Sequence, residues 1–318
     1  MCRFIRLVLP TVCLLLLPTL SHADTIRITT WNIAGTHFDG RGEEFSRFGK
    51  RFHGDLLFIQ ELLSAEQMRQ FQNTTHLGDM NARISDFSED NVGSPYSRLE
   101  VGVLSPHPIG RVIEYDLFLD DDNDANDRLL PSPEWLPAHV ADVGAERGFL
   151  WVELPEKALV AVCVHLKSSS GRNGVDDFEN ASKRERVVAA VAHTIAVHKR
   201  QNPDWSYVVA GDFNVAAADA KKVGYDLDHV CGSAPCMAYD QTHAILRGGY
   251  ADGVAMRHLT EGLGHTYVDH EPRFADAPID VIYVAGPLFE GANEAVARRL
   301  PAFGSDHYPV TVEVRQND

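Results

Sequence analysis

Short runs that are apolar throughout, each followed by polar residues, limit the possible folds of this chain most strongly. Strands with one wet face alternate polar and apolar residues, whereas strands covered on both faces do not. Eight such runs predict strands: Thr25–Trp31, Leu56–Gln60, Val101–Leu104, Phe149–Leu154, Leu159–His165, Tyr207–Gly211, Val281–Val284 and Val310–Val314. A helix is predicted over Glu179–Arg200, with an apolar side and an Arg/Lys side. Covered strands with flanking helices predict a layered α/β fold.

The first 23 residues have the pattern of a secretory signal peptide. Arg3 and Arg6 precede the apolar stretch Leu7–Leu20, and Ser21–Ala23 forms a small-residue cleavage site. The stretch is too short and too interrupted by proline for a spanning helix. We therefore expect export to a periplasm or the cell exterior, with residues 24–318 forming one catalytic domain and no stable membrane insertion.

The charge of the chain excludes a generally basic surface. The formal charge is −16 and becomes −18 once Arg3 and Arg6 are removed with the signal peptide. A polyanionic substrate would therefore have to be held by a local site or by bound cations. Of the mature cysteines, Cys231 and Cys236 are the expected disulfide in an oxidising compartment. Cys163 lies in an apolar run and is expected to be a buried small hydrophobe.

Residues 116–147 are predicted to be a long loop that shapes access to the site. The spacing of the acidic residues in Asp120–Asp124 resembles a calcium-binding loop. However, Ala125 occupies the position of the loop glycine and Pro131 that of the bidentate glutamate, which favours a solvated acidic loop. The stretch 129–140, "LLPSPEWLPAHV", is an apolar patch that could touch a membrane.

Polar residues cluster at the ends of the apolar runs. In "VVAGDFN" (208–214), Asp212 and Asn214 are two residues apart and would share one face of an extended strand. The same kind of polar residue flanks the other runs: Asn32, Glu61, Arg98, Glu100, Arg147, His165, Asp280, Asp306 and His307. Carboxylate and amide oxygens suit Mg²⁺ and substrate phosphate, and a histidine with a carboxylate partner can activate water. We therefore expect phosphate-ester hydrolysis without a covalent intermediate.

Six motifs, in order, resemble the endonuclease/exonuclease/phosphatase superfamily: "TWNIAG", "LLFIQEL", "HLKS", "GDFN", "IDVIYV" and "SDHYPV". Further segments, among them "SRLE", "ERGFLWV" and "YVAGPLF", are similar to its secreted deoxyribonuclease I branch. The resemblance implies an α/β fold in which two β-sheets form a sandwich flanked by helices, in four layers. It also implies an enzyme that hydrolyses phosphate esters with a bound cation.

The resemblance implies a metal and phosphate site. Glu61 corresponds to the principal metal ligand, with Asn32 beside it holding metal-bound water or phosphate, and Asp306 corresponds to a further ligand. Mg²⁺ is the expected cation, with Mn²⁺ or Ca²⁺ as alternatives. Arg147 and Arg98 correspond to contacts with substrate phosphate.

The resemblance also implies catalytic roles. His307 corresponds to the general base, oriented by Asp280. His165 corresponds to the second catalytic histidine, an acid or phosphate donor, with Glu100 as its orienting partner. Two residues would position the nucleophile and the phosphate: Asp212 and Asn214. Three other residues are given no role in the chemistry. Trp31 is expected to be a core residue, and His243 and His270 are expected to be loop residues.

Three functions fit the motifs, and nucleic acid is the expected substrate. The first is an exported nuclease that cleaves DNA, with RNA as a further substrate; export disfavours intracellular repair. The second is a secreted phosphatase or phospholipase-type phosphodiesterase acting on a lipid or small phosphate ester. The third is a non-catalytic binding or toxin subunit, which the complete set of catalytic residue types disfavours. No protein partner is expected, and the chain is predicted to be a monomer.

Overall fold

The computed structural model describes residues 25–87, 99–117, 126–145, 147–169, 174–217, 240–248, 254–268 and 276–315. The predicted signal peptide, the acidic Asp120–Asp124 segment, the Cys231–Cys236 pair, Arg98 and His270 lie outside these residues. The strands are β1 Thr25–Asn32, β2 Leu56–Leu62, β3 Asn81–Ile84, β4 Glu100–Ser105, β5 Val112–Asp116, β6 Asp127–Leu129, β7 Phe149–Leu154, β8 Leu159–His165, β9 Ser206–Asp212, β10 Arg257–His258, β11 Asp280–Ala285, β12 Val296–Arg299 and β13 Val310–Arg315. The α-helices are α1 Gly42–Gly49, α2 Ala65–Thr75, α3 Ala138–Ala141, α4 Gly174–Gln201, α5 Thr242–Leu246 and α6 Pro287–Gly291.

Two mixed sheets carry the fold. The first has six strands in the order β12-β13-β1-β2-β4-β3, and the second has seven in the order β10-β11-β9-β8-β7-β5-β6. In the first sheet β1 is parallel to β2 and antiparallel to β13. In the second sheet β9 is parallel to β8 and antiparallel to β11. Strand ends from both sheets therefore meet at one edge of the molecule, where β1, β2, β8 and β9 finish and β11 and β13 begin.

Three apolar clusters define four layers. Between the sheets, side chains such as Phe58 and Val103 face Leu150 and Ile282. The outer face of the first sheet packs on α1 and α2 through an aromatic group that includes Trp31. The outer face of the second sheet packs on α4. The four-layer sandwich is therefore confirmed, and so are Trp31 as core and Cys163 as a buried free thiol.

All eight predicted strands are present, and β7 and β8 have the predicted bounds. The sequence missed five strands, which are short or largely polar: β3, β5, β6, β10 and β12. Residues in β3 and β12 are mostly exposed or half-buried, so they have no apolar run by which to be recognised. Pairing to a covered neighbouring strand, rather than local sequence, makes them strands.

Helix α4 extends the predicted helix at both ends, and part of its Arg/Lys side is buried. The Arg/Lys side holds Arg184, which is fully buried and ion-paired to Asp240 at 2.7 Å. Arg186 is buried as well and donates to the carbonyl oxygens of Leu130 and Pro131. This part of α4 is therefore covered on its charged side too.

The stretch 129–140 packs onto the second sheet rather than facing outward. Leu130, Leu136 and Val140 are buried in the cluster between that sheet and α4, and Leu129 is the large exposed apolar side chain of the stretch. Three of its apolar residues are therefore used in the core, which does not favour the expectation of a membrane-touching patch. None of the described helices is both long and apolar enough to cross a bilayer.

Candidate active site

Three polar side chains stand in one row across the second sheet. His165 on β8 is in register with Asp212 on β9, and Asp212 is in register with Asp280 on β11. Alternation along each strand places them on the face turned toward the first sheet, where Cys163 and Ala210 also lie. All three are at least 97% buried. The row therefore brings three of the predicted catalytic residues together by strand register alone.

The first sheet meets this row through Asn32 at the end of β1. Its amide nitrogen Nδ2 donates to Glu61 Oε1 at 3.0 Å and to Asp212 Oδ2 at 3.1 Å, so one side chain joins carboxylates of both sheets. Its Oδ1 accepts from the backbone N–H of Ala34 at 3.0 Å. Asn32 thus presents N–H groups, not its oxygen, to the site, which does not favour the metal-ligand role assigned to it.

Glu61 occupies a β-bulge between Gln60 and Leu62, with φ of 64°. The bulge interrupts the pairing of β2 with β4 and turns the carboxylate to the rim, where the side chain keeps 22% of its exposure. Gly35 packs directly on it, because a Cβ at Gly35 would lie 1.7 Å from the carbonyl oxygen of Glu61. The bulge therefore places a partly hydrated carboxylate beside the buried row.

His307 completes the cluster from the segment before β13. Its Nδ1 lies 2.8 Å from Asp280 Oδ2, and its Nε2 lies 3.8 Å from Asp212 Oδ2. Ser305 fixes this segment, since its hydroxyl donates to the carbonyl of Asn32 at 2.8 Å and accepts from the backbone N–H of His307 at 3.1 Å. The imidazole is therefore held with one nitrogen on Asp280 and the other directed at the centre of the cluster.

Electrostatics set the protonation of this pair. Burial opposes charge on His307, but the carboxylates of Asp280 and Asp212 outweigh it and raise the pKa of His307 to about 10. For Asp212, burial is the main cause and raises its pKa to about 7, against the lowering effect of His307. The surroundings therefore hold His307 as the charged imidazolium at pH 7, and a cation bound to the neighbouring carboxylates would oppose that charge.

His165 differs from His307 in its surroundings. Its Nε2 lies 3.5 Å from Asp212 Oδ2 and 3.9 Å from Glu61 Oε1. Burial, with the positive charges of Arg147 and His307, lowers the pKa of His165 well below its usual value. Within the described part of the chain its buried Nδ1 has no hydrogen-bond partner. His165 is consequently a neutral imidazole at pH 7.

Glu100 does not orient His165, which corrects that expectation. Its Oε2 instead accepts from the hydroxyl of Ser85 at 2.7 Å and from the backbone N–H of Phe87 at 3.0 Å. Burial raises the pKa of Glu100 to about 7. The carboxylate is thus occupied in holding the chain that follows β3.

Asn214 also has a different position from the one expected. Strand β9 ends at Asp212, and Asn214 has φ of 54°, so the two side chains do not share a strand face. Its backbone N–H donates to Asp212 Oδ1 at 2.8 Å, and its Nδ2 donates to the carbonyl of Leu166 at 2.9 Å. Asn214 therefore ties the turn after β9 to the segment after β8.

Two arginines hold that same segment after β8. Arg147, expected to contact phosphate, is half-buried and donates to the carbonyls of Leu166 at 3.0 Å and His165 at 3.4 Å. Arg184, which sequence reasoning missed, donates to the carbonyl of Lys167 at 2.9 Å. The sequence signal for the burial of Arg184 was its position in a helix rich in alanine and valine. Both arginines place positive charge close to the row without lying in it.

The turn after β9 is further fixed from the side of α4. His243, interpreted as a loop residue, lies in α5 and is buried; its Nδ1 is 2.8 Å from the hydroxyl of Tyr283 and its Nε2 is 3.0 Å from the carbonyl of Val215. Its ring stacks on Phe213 with centroids 5.4 Å apart. His243 is thus a structural support for the turn and not a ligand.

The donor set of the site suits a hard divalent cation. Glu61, at the rim, has a partly exposed carboxylate, and Asp212 faces it across the Asn32 amide. Asp306 adjoins His307, and its negative charge contributes to the raised pKa of that ring. Oxygen donors with access to water match the preference of Mg²⁺.

A second acidic group lies away from the row. In the described ranges, the one set of three ligand atoms within 4.8 Å of one another belongs to Asp86, Glu114 and Asp127. This group contains none of the residues of the predicted metal site.

Comparisons with known proteins identify the family. The sequence matches the Endonuclease/Exonuclease/phosphatase family over residues 29–307. No curated protein matched the chain. Among solved structures, an endonuclease/exonuclease/phosphatase from Bacteroides vulgatus is similar at a TM-score of 0.59 and 15% identity, covering 92% of this chain and 100% of that one.

A 3′-5′ exonuclease and an AP endonuclease share the fold, with similar TM-scores and sequence identities. The 3′-5′ exonuclease from Neisseria meningitidis has a TM-score of 0.54 and 18% identity, covering 91% of this chain and all of its own. An AP endonuclease from Archaeoglobus fulgidus has a TM-score of 0.53 and 16% identity, covering 90% and 98%. The family match spans most of the sequence and the fold agrees with it, so the chain belongs to the Endonuclease/Exonuclease/phosphatase family.

Proposed function

We propose that this protein is an exported, metal-dependent phosphodiester hydrolase whose substrate is nucleic acid, DNA in the first place. The observation that carries the proposal is the His307–Asp280 hydrogen bond of 2.8 Å with Nε2 directed at Asp212. A histidine fixed at one nitrogen by a carboxylate and open at the other is suited to take a proton from water. The family's activity on phosphate esters supports the same reaction.

His307 and His165 have distinct roles in this proposal. Asp280 holds the Nδ1–H of His307. Once Nε2 has lost its own proton to solvent, it takes the proton of the attacking water as the new O–P bond forms and the ester O–P bond breaks, and the leaving oxygen takes a proton from solvent. His165, being neutral at pH 7, carries one N–H and donates a hydrogen bond to a phosphate oxygen. The low pKa of His165 therefore favours that role over proton donation to the leaving group.

Glu61 would hold the cation at the rim, with Asp212 and Asp306 completing the oxygen donors. A bound Mg²⁺ would neutralise the negative charge that develops on the phosphoryl group. Asn32 connects Glu61 to Asp212 through its amide N–H groups, so it keeps the two carboxylates at a fixed separation.

The first test uses purified residues 24–318 with supercoiled plasmid and Mg²⁺, with and without EDTA. We expect nicking that EDTA abolishes, and a loss of about 10²–10⁴ in rate for His307→Ala, as for removal of a general base. His53→Ala is the matched control, since His53 is exposed and away from the row. Wild-type rates in His307→Ala would remove His307 from the mechanism.

The second test concerns the cation. Glu61→Gln should need a much higher Mg²⁺ concentration for half-maximal activity, because it removes the rim carboxylate. Glu66→Gln on α2, an exposed glutamate, is the control. An unchanged Mg²⁺ dependence in Glu61→Gln would exclude Glu61 as a ligand.

Substrate class and export are tested separately. The Neisseria protein has also been crystallised as a 3′ phosphatase bound to a product DNA hairpin. Oligonucleotides with an internal diester or a terminal 3′-phosphate therefore distinguish diesterase from phosphatase activity in this chain. A lipid substrate loses part of its sequence support, because three apolar residues of 129–140, Leu130, Leu136 and Val140, are buried. For export, mass spectrometry of the protein recovered outside the cytoplasm should give a chain beginning at Asp24.

A further inference from the structure

A cavity lies between α1 and the segment that leads to His307. We call it the α1 cavity; its volume is about 330 Å³. It is lined by Glu44, Arg47, Lys50, Arg51, Pro301, Phe303 and Gly304. None of these residues has a role in the site described above.

The α1 cavity is positively charged on a strongly acidic chain. Its one carboxylate, Glu44, is paired with Arg47 at 3.1 Å. Lys50 and Arg51 are exposed, and neither has a carboxylate partner among the residues that the structure describes. Two uncompensated cations therefore face the cavity on a chain whose formal charge is −16. Such a local excess of positive charge attracts anions.

One wall of the α1 cavity is apolar and rigid. Phe303 is 7% exposed, and its ring lies 5.6 Å from that of Phe48 and 5.8 Å from that of Trp31. Pro301 next to it is exposed. The cavity thus combines an apolar surface with cations, the combination that binds nucleic-acid strands through both sugar or base and phosphate.

The α1 cavity adjoins the candidate active site through the chain itself. Gly304 precedes His307 by three residues, so their Cα atoms are at most about 11 Å apart. Ser305, between them, donates to the carbonyl of Asn32. Arg41 fixes the start of the segment by donating to the carbonyl of Phe303 at 3.0 Å. The Gly304 end of the cavity therefore lies within about 11 Å of the backbone of His307, while the two cations lie at the C-terminal end of α1.

We propose that the α1 cavity binds the part of a nucleic-acid strand that flanks the scissile phosphate. Lys50 and Arg51 contact phosphate oxygens of the flanking nucleotides, while Pro301 and the edge of Phe303 contact a sugar or base. This inference rests on the proposed function, since it extends the substrate of the same site. It explains how an acidic chain holds a polyanion without a generally basic surface.

The test measures binding of a fluorescent single-stranded 12-mer by anisotropy, in EDTA so that no cleavage occurs. The variant Lys50→Glu/Arg51→Glu should bind about tenfold more weakly. Its log–log salt slope should fall by about 1.4, or about 0.7 for each lost phosphate contact. Lys199→Glu/Arg200→Glu, an adjacent Lys-Arg pair on α4, carries the same charge change and should bind like the wild type.

A second measurement compares kcat/KM for the 12-mer with that for a dinucleotide, in Mg²⁺. The ratio should fall about tenfold in Lys50→Glu/Arg51→Glu and stay constant in the control pair. Equal binding and equal ratios in the two variants would overturn the proposal. The proposal would also be overturned if millimolar inorganic phosphate competed as effectively as the unlabelled strand. That result would indicate a simple anion site.

The two proposals fail separately. If the protein cleaves no phosphate ester but the variants differ in strand binding as expected, the hydrolase assignment is wrong and the α1 cavity remains a strand-binding site. If plasmid nicking depends on His307 but the two variants bind alike, the α1 cavity has no role and the hydrolase stands.

Discussion

Glu114 on β5 gives a stability prediction with a definite sign. The side chain is 93% buried, and both of its oxygens lie within 3.2 Å of the backbone N–H of Asp86. Burial, followed by the neighbouring charge of Asp86, raises the pKa of Glu114 to about 10. Glu100 accepts from the residues on either side of Asp86, so one short segment is held by a carboxyl group from each sheet.

The sign follows from proton counting. Between pH 5 and 9 Glu114 is protonated in the folded protein and ionised in the unfolded chain, so unfolding releases a proton. The free energy of unfolding therefore decreases as pH rises, by up to about 1.4 kcal/mol per pH unit. From pH 7 to 9 the loss reaches about 2.7 kcal/mol at most. Glu114→Gln keeps the shape, removes the titration and should flatten this dependence.

Urea unfolding at pH 7, 8 and 9 measures this difference. The buffer contains EDTA, because a cation bound at Asp86, Glu114 and Asp127 would hold the carboxylate ionised. Glu156→Gln, an exposed glutamate after β7, should follow the wild type at every pH. If the free energies of Glu114→Gln and the wild type decrease in parallel, Glu114 is ionised in the folded protein and the reasoning is refuted.

Three further variants test the supports of the site. Asp280→Asn removes the negative charge that holds His307 and should lower kcat by about 10²–10⁴ with little change in KM; a normal kcat would show that the carboxylate charge is dispensable. Arg184→Met leaves Asp240 buried without its ion pair and should cost about 3–5 kcal/mol in urea unfolding, and a loss below 1 kcal/mol would contradict this. Gly211→Ala would place a Cβ 1.8 Å from a β8 carbonyl oxygen at φ of 153°, so we expect a lower melting temperature and weaker activity; wild-type values for both would contradict it.

The sandwich was largely predictable because its strands are covered on both faces. Apolar runs such as Phe149–Leu154 predict strands without any information about the neighbouring elements. The edge strands β3 and β12 could not be found, since their residues are half-exposed and only pairing to β4 and β13 makes them extended. The burial of 129–140 also depends on a distant element, because Arg186 of α4 binds its carbonyl groups.

The sequence predicted which residues make up the candidate site better than it predicted which of them contact one another. Motif order identified His307 with Asp280, and the structure places them in hydrogen-bond contact. The partner of Glu100 could not be read from sequence, because Ser85 lies in the segment after β3, distant in the chain, and donates to its carboxylate. Asn214 was misplaced because the left-handed conformation that ends β9 breaks the alternation of faces.

The row of His165, Asp212 and Asp280 couples the chemistry to the pairing of three strands. Inserting or deleting one residue within β9 would turn Asp212 to the outer face and at the same time move every core side chain of that strand. Such a change cannot yield a folded but inactive protein; it loses both properties together. Strand register does not fix the lengths of the segments after β8 and β9, so these lengths can change while the row stays in place. Substrate range in this architecture can therefore diverge through those segments, and chimeras that exchange them at His165 and Asn214 should keep the hydrolytic centre.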